Sequence, residues 1–182
     1  LIPVGARPDS FPKRISMLTE LKLCDDQGSE VADGLTGEAW VRAPTLFSGY
    51  WNNPQANAES FSDGWFRMGD LFSKQDDGYH FVGRAKYLIK SGGENIYPAE
   101  IERVLLADPR VVDAIVVKRA DARWGEVPVA VIVRNNDSLD EGEVLAMCRT
   151  SLAGYKQPRA VRFVEDSDFP RSASGKIMRE AV

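Results

Sequence analysis

Residues 83–105 read GRAKYLIKSGGENIYPAEIERVL, and the way this stretch folds decides the architecture around it. Tyr87 to Ile89 is a short apolar run with strand character, and the paired glycines Gly92-Gly93 end it. Pro98 suits the first turn of a helix. Ile101, Val104 and Leu105 then share one face at helical spacing. Asp108-Pro109 stops that helix, because a residue before proline is pushed out of helical geometry. A strand, a glycine turn and a one-faced helix in so short a span begin a small mixed domain.

Downstream, Val111 to Lys118 and Val127 to Arg134 are β-branched strands joined by a loop that holds Trp124-Gly125. Asp140 caps a second helix with Glu143 as its capping-box partner. Val144, Leu145, Cys148 and Leu152 face inward along it and Gly154 ends it. Ala160 to Val164 is a last strand, followed by a polar loop and a short helix from about Lys176. The order predicts a compact α+β domain with a three-stranded sheet and helices.

Upstream the texture changes. Ser16 to Leu23 alternates apolar and polar residues as a half-buried strand does, and Asp25 to Gly28 reads as a turn. Glu38 to Val41 is another strand. Gly64 to Phe66 and Tyr79 to Val82 bracket the turn Gln75 to Gly78. Asn53-Pro54 opens one helix over Ala56 to Phe61. The expected division is a β-rich part, 1–83, and an α+β part, 84–182, with the joint at Gly83 to Lys86.

Composition bounds the function. Of 182 residues, 43% are hydrophobic and 27% charged, the balance of a globular protein, which excludes general disorder and coiled-coil or collagen character. The sequence has no apolar run near the roughly 18 residues of a membrane helix. A net charge of -4 argues against nucleic acid as the main partner. From Arg149 onward, however, seven basic residues face four acidic ones, which leaves room for a local polyanion site. Cys24 and Cys148 match no metal spacing, and a reduced, cytoplasmic setting is expected. The lone His80 argues against an imidazole zinc site or a Ser-His-Asp triad, so no metal site is expected.

Four short segments carry candidate chemistry. In GWFRMGDL (64–71), Asp70 follows glycine and its carboxylate can accept two hydrogen bonds from a vicinal diol; an Asx-turn is the alternative. Arg84 suits a ribose or phosphate oxygen, or is a surface arginine in a linker. Gly92 and Gly93 allow close backbone approach to a ligand, or make a simple turn. In PRSASGK (170–176), Lys176 can bring an ammonium to a phosphate, or belongs to a solvated tail.

Together, GEAWVRAPTLFSGYW (37–51), GWFRMGDL, GRAKYLIKSGGENIYPAEIE (83–102) and PRSASGKIMR (170–179) resemble the C-terminal part of the adenylate-forming superfamily. GGENIYPAEIE is most similar to fatty-acyl and aryl-acyl CoA ligases. The resemblance implies an ATP-dependent acid-thiol ligase. A carboxylate attacks ATP to give acyl-AMP and pyrophosphate, and the thiol of CoA then displaces AMP. It implies a ribose-binding role for Asp70 assisted by Arg84, a hinge at Lys86, and an adenylating role for Lys176. Gly92, Gly93 and Glu94 then belong to the loop lining the pantetheine tunnel. Trp124, Tyr155, Lys156 and Arg159 fall where some aryl-CoA ligases hold the CoA nucleotide.

By the same resemblance, residues 1–83 are the incomplete end of a large AMP-binding domain and 84–182 a mobile lid. The phosphate-gripping loop, the Tyr-Gly-x-Thr-Glu segment and the acyl pocket are expected upstream of Leu1, with Mg²⁺ bound mainly there. The chain alone is therefore expected to lack adenylation activity. Unpaired strand edges are expected to favour self-association, including a homodimer. Two alternatives stand beside the CoA ligase: an adenylation domain serving a carrier protein, and a non-catalytic adenylate-binding protein. Tyr87 departs from the Asp that the superfamily often carries there, and residues 1–36 match poorly.

Overall fold

The computed structural model describes residues 12–136, 138–173, 175 and 177–182. The chain divides into two compact units, one ending at Lys86 and the other running from Tyr87 to Val182. The fold class is α+β, with one five-stranded sheet in each unit.

The first unit is built on β1 (Glu20–Cys24), β2 (Thr36–Arg42), β3 (Phe61–Ser62), β4 (Trp65–Gln75) and β5 (Gly78–Arg84), all antiparallel, with helix α1 (Pro54–Ser60) before β3. The strand expected from Ser16 begins only at Glu20. The Ser16 carbonyl accepts the Thr19 N–H at 3.1 Å and the two hydroxyls pair at 2.7 Å, so a local turn wins over extension. Asn53 caps α1 by accepting the Ala56 N–H at 3.0 Å, with Pro54 at the first helical position, as the sequence predicts. β4 runs on well past Phe66 because Gly69, at φ 70°, absorbs an irregularity in its pairing with β2. There Met68, Gly69 and Asp70 together oppose Ala39.

The second unit holds β6 (Ile89–Ser91), β7 (Glu94–Ile96), α2 (Pro98–Leu105), β8 (Val111–Asp121), β9 (Gly125–Arg134), α3 (Glu141–Ser151) and β10 (Val161–Phe163). Its sheet has five strands where three were expected. The additional pairing is the β6–β7 hairpin, which closes at Gly92-Gly93 with φ of 59° and 89°. Strands of three residues are too short to show periodicity in a sequence. Tyr87, the first residue of the strand expected over Tyr87 to Ile89, instead ends the 3-10 turn Ala85–Tyr87, and β6 begins at Ile89. The helix expected from about Lys176 is reduced to one 3-10 turn, Arg179–Ala181; Lys176 itself lies outside the described residues.

β9 is the hub of this sheet. β8 pairs along it antiparallel, β10 parallel at Ala130 to Ile132, and β6 at Gly125. One face packs under α2 and α3, burying Ile89, Ile96, Ile101, Leu105, Val116, Ile132, Val144 and Cys148. Burying each such aliphatic side chain stabilises by about 1.5–3 kcal/mol before entropy is counted. The opposite face carries Ile115, Val131 and Val133, covered by Phe169 and Ile177 of the C-terminal segment. The capping box at Asp140 forms as read, with Asp140 accepting the Glu143 N–H at 2.8 Å and Glu143 accepting the Asp140 N–H at 3.1 Å. α3 ends at Ser151 with Leu152 extended and buried, so Gly154 opens a separate tight turn, Gly154–Lys156, rather than capping the helix.

Among the described residues β8 is an edge strand, and its middle is finished by side chains. The Val116 N–H donates to Glu102 Oε1 at 2.7 Å, and the Val116 carbonyl accepts from Arg179 Nη1 at 3.1 Å. Glu102 and Arg179 also bond to each other, Nη2 to Oε2 at 2.7 Å and Nη1 to Oε1.

Candidate functional site

In the first unit the β4 irregularity sets the geometry. Glu38 of β2 accepts the Gly69 N–H at 3.2 Å with one oxygen, and with the other accepts from Arg67 at 2.8 and 3.1 Å. The bulge is thereby held open at its backbone. Asp70 follows it and lies in register with Arg84 of β5. Arg84 Nε is 2.8 Å from Asp70 Oδ1, close enough for an ion pair. That oxygen is nevertheless buried and receives no hydrogen bond of acceptable direction. The Arg84 charge is close, but its N–H does not point along the line to that oxygen, and N–H···O bonds weaken steeply off line. Burial pushes the Asp70 carboxyl above its ordinary value, and the Arg84 charge partly offsets this. A half-buried carboxylate with one oxygen lacking a well-aligned donor keeps acceptor capacity that suits a ligand hydroxyl. Glu38 was not singled out from sequence; its role depends on a partner 31 residues away.

Lys86 lies in the 3-10 turn Ala85–Tyr87, where the two units join. In the second unit, the glycine turn sits beside the β8–β9 loop. The Gly92 N–H donates to the Trp124 carbonyl at 2.8 Å. A Cβ at Gly92 would fall 2.7 Å from Trp124 Cε3, so glycine is required there for the indole to lie across the turn. Gly93 has open space where a Cβ would stand, although its φ of 89° still favours glycine. Glu94 starts β7 and is exposed.

Asp121 fixes the other side of this edge. It accepts the Trp124 and Arg123 N–H groups at 3.0 and 2.9 Å. Those bonds, with the nearby Arg119 and Arg159 charges, hold its carboxyl below the usual range against its desolvation. The Arg123 guanidinium stacks 4.7 Å from the Trp124 ring centroid. The Arg159 N–H bonds the Pro128 carbonyl at 2.9 Å, and its side chain is exposed. Tyr155 is exposed on the Gly154–Lys156 turn, which packs beside β7. Lys156 differs from its expected setting. Its ammonium donates to both Glu100 oxygens at 2.8 Å, and although burial works against the charge, Glu100 outweighs it and raises the Lys156 pKa. The structure thus gathers Gly92, Gly93, Trp124, Tyr155 and Arg159 at one end of this sheet and turns Lys156 inward. Lys176 is outside the described residues, between Gly175, whose carbonyl accepts from Arg171 at 3.1 Å, and Ile177. Among the described residues no group of three or more His, Cys, Asp or Glu side chains could hold a metal ion. Among the described residues no helix is long and apolar enough to cross a membrane.

Residues 100–176 match the AMP-binding enzyme C-terminal domain. The indoleacetate–CoA ligase of Aromatoleum aromaticum is 46% identical over 164 residues, which cover 89% of this chain and 32% of that protein. A feruloyl-CoA synthase from Amycolatopsis is 45% identical over 169 residues, covering 92% of this chain and 34% of that protein. Among solved structures, the o-succinylbenzoate CoA synthetase of Bacillus subtilis in complex with the acyl-adenylate OSB-AMP superposes with a TM-score of 0.83 at 38% identity, over 90% of this chain and 33% of that one. The chain spans about a third of the length of these relatives.

Proposed function

We propose, from the premise that this chain belongs to the adenylate-forming superfamily, that it serves as the C-terminal portion of an ATP-dependent acyl-CoA synthetase for a fatty or aryl acid. The observation that carries this reading is the half-buried Asp70 carboxylate, which stands beside Arg84 with one oxygen short of a well-aligned hydrogen bond. In the proposed enzyme it accepts from a ribose hydroxyl of ATP and then of AMP, with Arg84 balancing its charge.

The reaction has two displacements. The acid's carboxylate oxygen attacks the α-phosphorus of ATP, the bond to the bridging oxygen breaks, and pyrophosphate leaves. Lys176 is assigned to that step, as a fixed positive charge for the oxygens gaining negative charge. The CoA sulfur, its proton lost, then attacks the acyl carbon, the bond to the phosphate oxygen breaks, and AMP leaves. Gly92, Gly93 and Glu94 are assigned to the pantetheine approach, and Trp124, Tyr155 and Arg159 to the CoA nucleotide. The exposed indole, held over Gly92 where no side chain fits, supports this. Lys156 contributes less, being already paired with Glu100. Lys86 is assigned as the hinge between the two steps, and Mg²⁺ accompanies ATP.

The test is made in the full-length protein that carries this chain. Acid-dependent pyrophosphate release is measured across fatty and aryl acids, with Lys176→Ala as the control. The variant is expected to lose acyl-adenylate formation while still making thioester from preformed acyl-AMP. Equal loss of both half-reactions, or wild-type protein inert toward every acid, would overturn the assignment.

A further inference from the structure

We infer that Arg179, with Glu102 and Tyr87, is a positioning residue for the adenylation step, an inference that rests on the role proposed above for Lys176. The described residues on either side of that lysine are held by specific contacts. Pro170 and Met178 close a stem, the Met178 N–H donating to the Pro170 carbonyl at 2.7 Å, and Arg171 bridges to Ile177. On the incoming side, Arg171 pairs with Asp113 of β8 at 3.2 Å and with Asp166 at 2.5 Å. On the outgoing side stands Arg179. It grips Glu102 of α2 with both terminal nitrogens, and one of them also reaches the Val116 carbonyl of β8. Ile177, between the two arginines, packs against the Ile115, Val131, Val133 and Phe169 cluster.

Glu102 and Arg179 are 77 residues apart in sequence, and their side chains are 10% and 20% exposed. A buried ion pair is rarely more stabilising than an apolar pair of the same shape, because both charges give up water. Its advantage is direction. The planar guanidinium can meet a carboxylate and a carbonyl together in one orientation. Arg179 is three residues from Lys176, and that orientation anchors the described chain from Ile177 to Arg179. The Arg179 guanidinium also lies 5.1 Å from the ring centroid of Tyr87, the residue that follows Lys86. One arginine therefore ties the stem of the lysine segment to α2, to β8 and to the first residue after the joint.

Arg179→Gln and Glu102→Gln are made in the full-length protein, and the two half-reactions are followed separately. For acyl-adenylate formation, kcat is expected to fall about 100-fold, as displacements near 1 Å do, with KM for ATP little changed. Thioester formation from preformed acyl-AMP should stay near wild type. Arg179→Lys, which keeps the charge but cannot make the fork, should fall between and show the same split. Equal loss in both half-reactions across these variants would mean a general structural role and overturn the inference, as would adenylation at wild-type rate. Wild-type protein without pyrophosphate release, or an unimpaired Lys176→Ala, would instead strike the underlying reading of Lys176.

Discussion

Beyond Tyr87 the chain buries a continuous aliphatic core between two helices and one face of a sheet. The strands before Lys86 bury little beyond Leu23, Cys24, Ala39, Trp40, Val41 and Leu71, and lean on stacked surface groups instead. The Lys22 ammonium lies 4.8 and 4.7 Å from the Trp40 and Trp65 rings, Arg42 caps Trp65 at 4.6 Å, and Arg67 caps Trp40 at 5.3 Å. Phe47 meets Tyr50, Phe61 and Phe66 edge-on at 5.1–5.4 Å. Trp51 is almost wholly exposed. Burial scales with area removed from water, whereas each cation–ring contact at a surface contributes about 0.5–1 kcal/mol. The second unit should therefore be the sturdier, and its stability should concentrate in a few aliphatic side chains.

That contrast can be broken by substitution. Leu105→Ala, at a fully buried site, should lower the stability of the second unit by about 2–5 kcal/mol in denaturant titrations. A loss below 1 kcal/mol would end the claim of a tight core. Gly92→Ala should cost about 1–2 kcal/mol from its left-handed backbone alone, and must also push the indole aside. The Trp124 indole N–H resonance should shift. If it does not, the indole does not lie across the turn. Asp140→Ala should cost about 1 kcal/mol by removing both halves of a capping box. Lys22→Met, in the first unit, should cost about 0.5–1 kcal/mol. An effect as large as that of Leu105→Ala would erase the difference between the units.

Acid titration sharpens the comparison, because one aspartate in each unit responds with opposite sign. Hydrogen bonds from the Arg110 side chain and N–H, at 2.8–3.1 Å, hold Asp108 below its ordinary pKa. Its contribution is present above about pH 4 and fades as pH falls through the depressed folded value. Asp108→Asn should flatten that acid limb. Asp70 is raised by burial, so its contribution is present below about pH 4 and lost as pH rises through the elevated folded value. Asp70→Asn should slightly raise stability at neutral pH while weakening AMP binding, measured by calorimetry on the full-length protein. Unchanged AMP affinity would remove Asp70 from the nucleotide site.

What could be read from sequence was whatever is local. The Asp140–Glu143 box, the Asn53-Pro54 helix start and the one-faced α2 all express interactions within a few residues. β6 overlaps the expected strand Tyr87 to Ile89, but β7 and its pairing are not legible, because three residues carry no usable periodicity. Ser16 to Thr19 misled because alternation alone cannot show that two hydroxyls prefer each other. Of the candidate site, Asp70 and Arg84 stand in motifs that can be picked out from sequence. Glu38, which props the bulge open, and Glu102, which receives Arg179, cannot, since their partners are 31 and 77 residues away. The resemblance puts Lys156 among the cations near the CoA phosphates, and nothing in GYKQPR reveals its partner Glu100, 56 residues earlier.

The middle of β8 has one more consequence. A bare strand margin is a template on which another molecule's backbone can zip. At Val116 both the donor and the acceptor are already taken by Glu102 and Arg179. A chain lacking Arg179 would present that carbonyl to its neighbours, and concentrated solutions of it should seed β-rich aggregates that the unaltered protein resists.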